Sequence, residues 1–136
     1  MAKGRWVSLT LVGIVAIGTV GCTEGDNKLV QYEGKWTVVK VNGALPLASA
    51  PHAIFNGNNV RLTASCNTIS ADGFLHDDMT FHRNSGAHTL ASCGPELDKL
   101  DFQLVELMGS SPLFTDNADG TLTIEAAPYS LLLRPM

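Results

Sequence analysis

Short apolar runs separated by turn residues recur along this chain, and they constrain its fold more than any other feature. The clearest pair, residues 53–55 and 60–64, flanks Asn56-Gly57. An Asn-Gly pair between apolar runs is typical of a β-hairpin, because both residues tolerate positive φ. Val60, Leu62 and Ala64 also alternate with polar residues, the period of a half-buried strand. These patterns predict antiparallel sheet structure.

Further strands are predicted from β-branched or alternating runs bounded by turn signals. The run 68–81 suggests a second hairpin, with its turn at 71–73 or at 76–78. The other expected strands are 35–42, ending at Asn42-Gly43, a short one within 88–93, and two final strands at 122–124 and 129–133.

One amphipathic helix is predicted over residues 95–108, late in the chain. Pro95 suits a first helical turn, and Gly109 suits a stop. The apolar residues follow the i, i+3, i+4 spacing of a buried helix face: Leu97, Leu100, Leu104, Leu107 and Met108. Six to eight short strands with one late helix predict an α+β fold, in which a small, strongly curved antiparallel sheet carries the helix on its concave side.

Residues 1–21 have the layout of a secretory signal, with a basic start, an uncharged apolar stretch over 6–20 and a small residue, Gly21. Because Cys22 follows directly, the segment resembles a bacterial lipoprotein signal, in which the cysteine is lipidated and becomes the first mature residue. The alternatives are a plain signal peptide and an uncleaved anchor with an incidental cysteine. The resemblance implies a palmitate-type anchor on Cys22. Residues 22–31 then form a polar tether, and the folded domain spans 32–136.

The charge pattern excludes some partners. Without Lys3 and Arg5, the chain has seven scattered basic residues and thirteen acidic ones, which gives a net charge of −6. Nucleic-acid binding and electrostatic binding to anionic lipid both need grouped cations, so membrane attachment is expected through the lipid alone. Thr23, not Asp, follows Cys22, which favours the outer over the inner membrane of a bacterial envelope, facing the periplasm.

Cys66 and Cys93 remain once Cys22 is assigned to the anchor. An even pair in an exported protein indicates a disulfide, and closing a loop of this length would contribute about 3.5 kcal/mol of stability. Two buried free thiols, which behave as small apolar residues, are the alternative.

The ordered motifs resemble those of the META domain, shared with the heat-inducible HslJ lipoproteins. Gly34-Lys35-Trp36 resembles the opening Gly-x-Trp of that family. Residues 64–67 resemble its Gly-Cys-Asn segment, although Ser65 replaces the glycine, and residues 89–93 resemble its Thr-x-x-x-Cys. The resemblance covers about 29–134. It implies a small, partly open β-barrel with one embedded helix, in an envelope lipoprotein linked to stress tolerance without established enzymatic chemistry.

Two functions from different classes follow. The first is a non-enzymatic envelope module that binds a partner protein or an apolar ligand, such as an acyl chain between helix and sheet. The second is a thiol- or metal-dependent periplasmic enzyme that uses Cys66, Cys93 and nearby histidines. No spacing matches a compact metal site or a nucleophile motif, so neither a cofactor nor a metal is expected. Asn67 is predicted to fix the backbone at a strand end, with a ligand contact as the alternative. The four histidines are His52, His76, His82 and His88.

Overall fold

The computed structural model describes residues 25–136, which fold as one eight-stranded antiparallel sheet, one α-helix and one short 3-10 helix. In chain order the elements are the 3-10 helix Lys28–Tyr32, β1 Gly34–Val41, β2 His52–Asn56, β3 Asn59–Thr63, β4 Ile69–Leu75, β5 Phe81–His88, α1 Pro95–Gly109, β6 Leu113–Asp116, β7 Leu122–Ala126 and β8 Tyr129–Pro135. The strands lie side by side in the order β5-β4-β3-β2-β1-β8-β7-β6.

The sheet curls until its two edge strands meet at one end. The Phe81 N–H donates to the Pro112 carbonyl at 2.9 Å, and the Phe114 N–H donates to the Met79 carbonyl at 2.8 Å. Beyond these bonds β5 has no strand on its outer side within residues 25–136. The predicted α+β class, a strongly curved sheet accompanied by one helix, is confirmed.

The interior is filled by apolar side chains from the sheet and from one face of α1. Leu100, Leu104, Leu107 and Met108 are buried, as the helical spacing predicted, whereas Leu97 is half-buried. The helix packs against β4, β5 and β8. Because Leu104, Leu107 and Met108 are at most 1% exposed, side chains occupy the space between helix and sheet. These side chains leave no room at their positions for the acyl chain considered above.

An aromatic cluster closes the end of the barrel near the 3-10 helix. The ring of Tyr32 lies 5.7 to 5.9 Å from those of Trp36, Phe55 and Phe114, separations typical of favourable aromatic pairs. The Tyr32 hydroxyl donates to Asp116 Oδ1 at 2.8 Å. Burial, together with this bond to a carboxylate, raises the pKa of Tyr32 well above its ordinary value.

The packed body begins earlier than the sequence predicts. Residues 22–31 are expected to form a tether, but Leu29 is fully buried and Asn27 is bonded to β4. Its Nδ2 donates to the Gly73 carbonyl at 3.1 Å, and its Oδ1 accepts the Leu75 N–H at 2.8 Å. From Asn27 onward the stretch is therefore packed against the body and is not a free tether, because Leu29 is buried and Asn27 is bonded to β4.

The second hairpin turns at the later of the two predicted places. The Met79 N–H donates to the His76 carbonyl at 2.8 Å, which closes the β4–β5 turn. Gly73, which would be a turn residue if the hairpin turned at 71–73, lies within β4 opposite Arg83. A Cβ at Gly73 would overlap the His82 carbonyl oxygen and lie 2.6 Å from Phe81 Cζ. This glycine therefore permits the close approach of two strands.

Two further expectations about strands differ from the structure. The predicted strand within 88–93 is absent, because β5 ends at His88 and 89–94 form a loop held by side-chain hydrogen bonds. Strand β6 was not predicted from its four residues. Among residues 25–136, no helix is long and apolar enough to cross a bilayer.

Candidate functional site

The two sequence motifs that contain the predicted disulfide cysteines are in direct contact. Cys66, in the β3–β4 loop, forms a disulfide with Cys93, in the loop before α1, with their Cα atoms 6.0 Å apart. Asn67 and Thr89 meet beside it, where the Thr89 hydroxyl donates to Asn67 Oδ1 at 2.6 Å. The Ser-Cys-Asn and Thr-x-x-x-Cys segments therefore form one structural unit.

Asn67 is the centre of this unit and is 5% exposed. Its Oδ1 also accepts the Ala91 N–H at 2.8 Å, and its Nδ2 donates to the Ala91 carbonyl at 2.9 Å. One side chain thus satisfies both backbone groups of a residue that lies outside any strand, which fixes the conformation of the 89–94 loop. The predicted structural role of Asn67 therefore has a specific geometry, and the Asn67 amide is fully occupied by it.

A buried carboxylate that the sequence analysis missed completes the unit. Asp101, on the inner face of α1, is 7% exposed. It accepts the Asn67 N–H at 3.3 Å, the Asn67 side-chain amide at 2.7 Å and the Ser65 hydroxyl. These donors compensate the burial of the carboxylate without a cation. The sequence does indicate a special role for Asp101, because this acidic residue interrupts the apolar stripe of the helix between Leu97 and Val105.

A second carboxylate holds the same loop from the first turns of the helix. Asp98 accepts the Cys93 N–H at 3.0 Å and the Ser92 hydroxyl at 2.7 Å. These two bonds, the backbone one first, lower the pKa of Asp98 below its ordinary value. The loop before α1 is thus fixed by Asn67 on one side and by Asp98 on the other.

The fixed loop forms one wall of a surface groove, here called the α1 groove, whose other wall is helix α1. The groove has a volume of about 450 Å³ and is lined by residues 88–92 together with Asn67, Asp98, Asp101, Phe102 and Val105. Leu90 is 85% exposed and Phe102 is 64% exposed, so two large apolar side chains flank one site on the surface.

The histidines do not converge on the cysteines. His52 lies beside the β1–β2 loop, where its Nδ1 is 3.0 Å from the Ala50 carbonyl. His76 and His82 lie at the β4–β5 turn with ring centroids 4.6 Å apart, and His88 lines the groove. No group of three or more metal-ligating side chains comes together within the described part of the chain. Cys22 lies outside the described residues.

These features define a small curled-sheet module with one helix, in which a disulfide and an asparagine join the loop before the helix to the sheet. The family model of the META domain matches residues 28–134, and the chain therefore belongs to the META domain family. The resemblance seen in the sequence is confirmed.

Comparison with known proteins adds evidence for the fold. A protein solved by NMR superposes with a TM-score of 0.65 at 21% identity, over 79% of this chain and 93% of that one. An NMR structure of a protein from Burkholderia xenovorans superposes with a TM-score of 0.59 at 8% identity, over 99% of both chains. At these identities the likeness shows the fold alone. No curated protein matches the chain.

Proposed function

We propose that this protein is a non-enzymatic lipoprotein of the bacterial envelope, anchored through a lipid on Cys22 and facing the periplasm, with the outer membrane as its location. In this proposal it binds another envelope component and contributes to stress tolerance and envelope integrity. Its support is the signal-like segment that ends at Cys22, together with membership of the META family.

The signal-like segment carries the proposal, and the position of Asn27 sets which end of the body the anchor would hold. Four residues separate Cys22 from Asn27, so at about 3.6 Å per residue these two residues are at most about 18 Å apart. Asn27 is bonded to Gly73 and Leu75, near the β4–β5 turn. A lipid on Cys22 would therefore keep this end of the body close to the bilayer.

The α1 groove lies at the opposite end of β4. Asn67 precedes the first residue of that strand, whereas Asn27 is bonded near its last. The six steps from Ile69 to Leu75 span about 20 Å. With the anchor at one end and the groove at the other, the groove would open away from the membrane, where a periplasmic partner can reach it.

The enzymatic alternative gains no specific support from the site. Cys66 and Cys93 are joined to each other, so neither offers the thiolate that nucleophilic or metal chemistry needs. The Ser65 hydroxyl is buried and directed to Asp101. The side chains of Asn67, Asp98 and Asp101 hold the loop in place, which gives the groove a fixed shape for binding.

Fractionation of cells that express the full chain tests the proposal. We expect the wild-type protein in the membrane fraction, and Cys22→Ser in the soluble fraction or retained as the unprocessed precursor. Thr23→Ala, one residue further along the chain, is the matched control and should stay with the membranes. Wild-type protein in the soluble fraction, or a Cys22→Ser variant that is processed and still lipid-anchored, would refute the anchor.

A further inference from the structure

We propose that the outer edge of β5 and the α1 groove together bind an extended peptide, which adds to the sheet as a ninth strand. The peptide carries an apolar side chain for the groove and a carboxylate for Arg83. This inference rests on the proposed function, because it names the class of partner for the same groove. Its test uses purified protein in solution, so it can fail while lipid anchoring holds.

The backbone of β5 supplies the first argument. From Ser85 to His88 the strand pairs regularly with β4, yet it has no neighbour on its other side within the described residues. The Thr89 N–H donates to the Thr68 carbonyl at 3.2 Å. Because backbone groups alternate in direction along an antiparallel strand, the N–H and C=O groups of His88 and Gly86 are directed away from β4. An exposed edge of this kind is a template for an incoming strand.

Edge strands are usually protected against such pairing, and β5 is protected over only half of its length. Phe81 is covered by the contact with β6, and the register shift opposite Asp72 and Gly73 leaves Asn84 as an extra residue. A bulge of this type disturbs an edge. Beyond it, from Ser85 to His88, no proline, lysine or acidic residue interrupts the strand, so four residues remain open to pairing.

The α1 groove supplies the apolar contact at the end of that edge. His88 belongs both to the edge and to the wall of the groove. Leu90 and Phe102 are exposed beside it, and Val105 is half-buried at its base. Exposed apolar side chains in a cluster mark interaction sites more often than isolated ones do. A strand that pairs with β5 would carry one side chain into this groove.

Charge complementarity at the Arg83 end of the edge selects a peptide that carries a carboxylate there. The whole chain has a net charge of −4, but residues 79–95 contain no acidic residue and include Arg83, His82 and His88. The Arg83 guanidinium lies against the end of α1, where a Cβ at Gly109 would be 3.2 Å from it. The ion pair found in residues 25–136 joins Lys28 to Asp77, so no described carboxylate pairs with Arg83.

The register of β4 sets the spacing of the expected motif. Gly73 lies opposite Arg83 and Ile69 lies opposite His88, so the two positions are four residue steps apart on a regular strand. A peptide strand on the other edge should therefore present its carboxylate and its apolar side chain at positions i and i+4, in either order along the chain.

Selection from a phage library of random nonapeptides on the full-length protein, purified in detergent, tests the proposal. We expect the enriched peptides to pair an acidic and an apolar residue at i and i+4, and Arg83→Gln to remove the acidic preference. Leu90→Ser combined with Phe102→Ser should lower the affinity at least tenfold by fluorescence anisotropy. Leu45→Ser, at a site 77% exposed in the β1–β2 loop, is the matched control and should change it less than twofold.

The strand geometry is tested from the ligand side, which leaves the fold of the protein untouched. Two variants of the enriched peptide are N-methylated at the two alternating sets of residues. Methylation of the N–H groups that face β5 should abolish binding, and methylation of the other set should leave the affinity within threefold. His88→Pro, which removes an outward N–H from the edge, should also weaken binding at least tenfold. Absence of enrichment, equal effects of the two sets of methylations, or a concentration-dependent dimer that occupies β5 would overturn the proposal.

Discussion

Asn67 donates from Nδ2 to Asp101 Oδ2 at 2.7 Å and so joins the β3–β4 loop to the inner face of helix α1. The same amide binds both backbone groups of Ala91. One buried side chain therefore connects sheet, helix and the wall of the α1 groove. The stability of the domain and the shape of its groove depend on the same few hydrogen bonds.

Removal of the Asn67 amide should destabilise the domain markedly. Asn67→Ala leaves the Asp101 carboxylate buried with fewer donors, and we expect the free energy of unfolding to fall by about 2–3 kcal/mol. Asn58→Ala, in the exposed β2–β3 turn, is the control and should change it by less than about 0.5 kcal/mol. Urea denaturation measures both. Equal stabilities of the two variants would show that the Asn67 network contributes little.

The disulfide should stabilise the domain by restricting the unfolded chain. Cys66 and Cys93 are separated by 27 positions, and a bond that closes such a loop contributes about 2–4 kcal/mol. We expect Cys66→Ala to lose this amount under oxidising conditions and to become insensitive to reductant. The wild type should lose a similar amount when dithiothreitol is added. A wild-type unfolding curve that reductant does not shift would contradict the bond.

Gly73 should tolerate no side chain. Gly73→Ala places a Cβ against the backbone of His82 and 2.6 Å from Phe81 Cζ, so β4 and β5 must separate or Phe81 must move. Overpacking of this kind costs about 1–3 kcal/mol. Gly109→Ala meets only the mobile end of Arg83 and is the matched control. If thermal unfolding gives the same midpoint for both variants, the close approach at Gly73 is not as described.

Asp98 should titrate below its ordinary pKa of 3.8, because the Cys93 N–H and the Ser92 hydroxyl bind its charged form. Since the folded pKa is lowered, the contribution to stability is present at neutral pH and is lost as the pH falls through the folded pKa. We expect Ser92→Ala to raise the pKa of Asp98, and Ser110→Ala, at the other end of α1, to leave it unchanged. NMR titration of the carboxyl carbon measures this, and a wild-type midpoint at or above 3.8 would contradict it.

The sequence predicts those parts of the fold whose signals are local. The β2–β3 hairpin follows from Asn56-Gly57, and the helix follows from the spacing of Leu100, Leu104 and Leu107. Turn chemistry and amphipathic period depend on residues close together in the chain. Both elements can therefore be predicted without knowledge of the packing.

The remaining features depend on contacts between distant residues. Gly73 is of a residue type common in turns, but it lies within a strand, where Phe81 and His82 approach it closely from the neighbouring strand. Asn27 belongs to the body because β4 offers its side chain partners 46 and 48 residues away, and Leu29 because it is buried in the core. Asp101 is recognisable only as an acidic residue on an apolar helix face, and its donors come from the β3–β4 loop. Such pairings are decided by tertiary packing.

Intact-mass spectrometry of the protein purified from its native membranes tests the central claim, the lipid anchor on Cys22, most directly. The account predicts a chain that begins at Cys22 and carries the added mass of a diacylglyceryl group, with or without a further acyl group. A chain that begins at Met1 without added mass would contradict it.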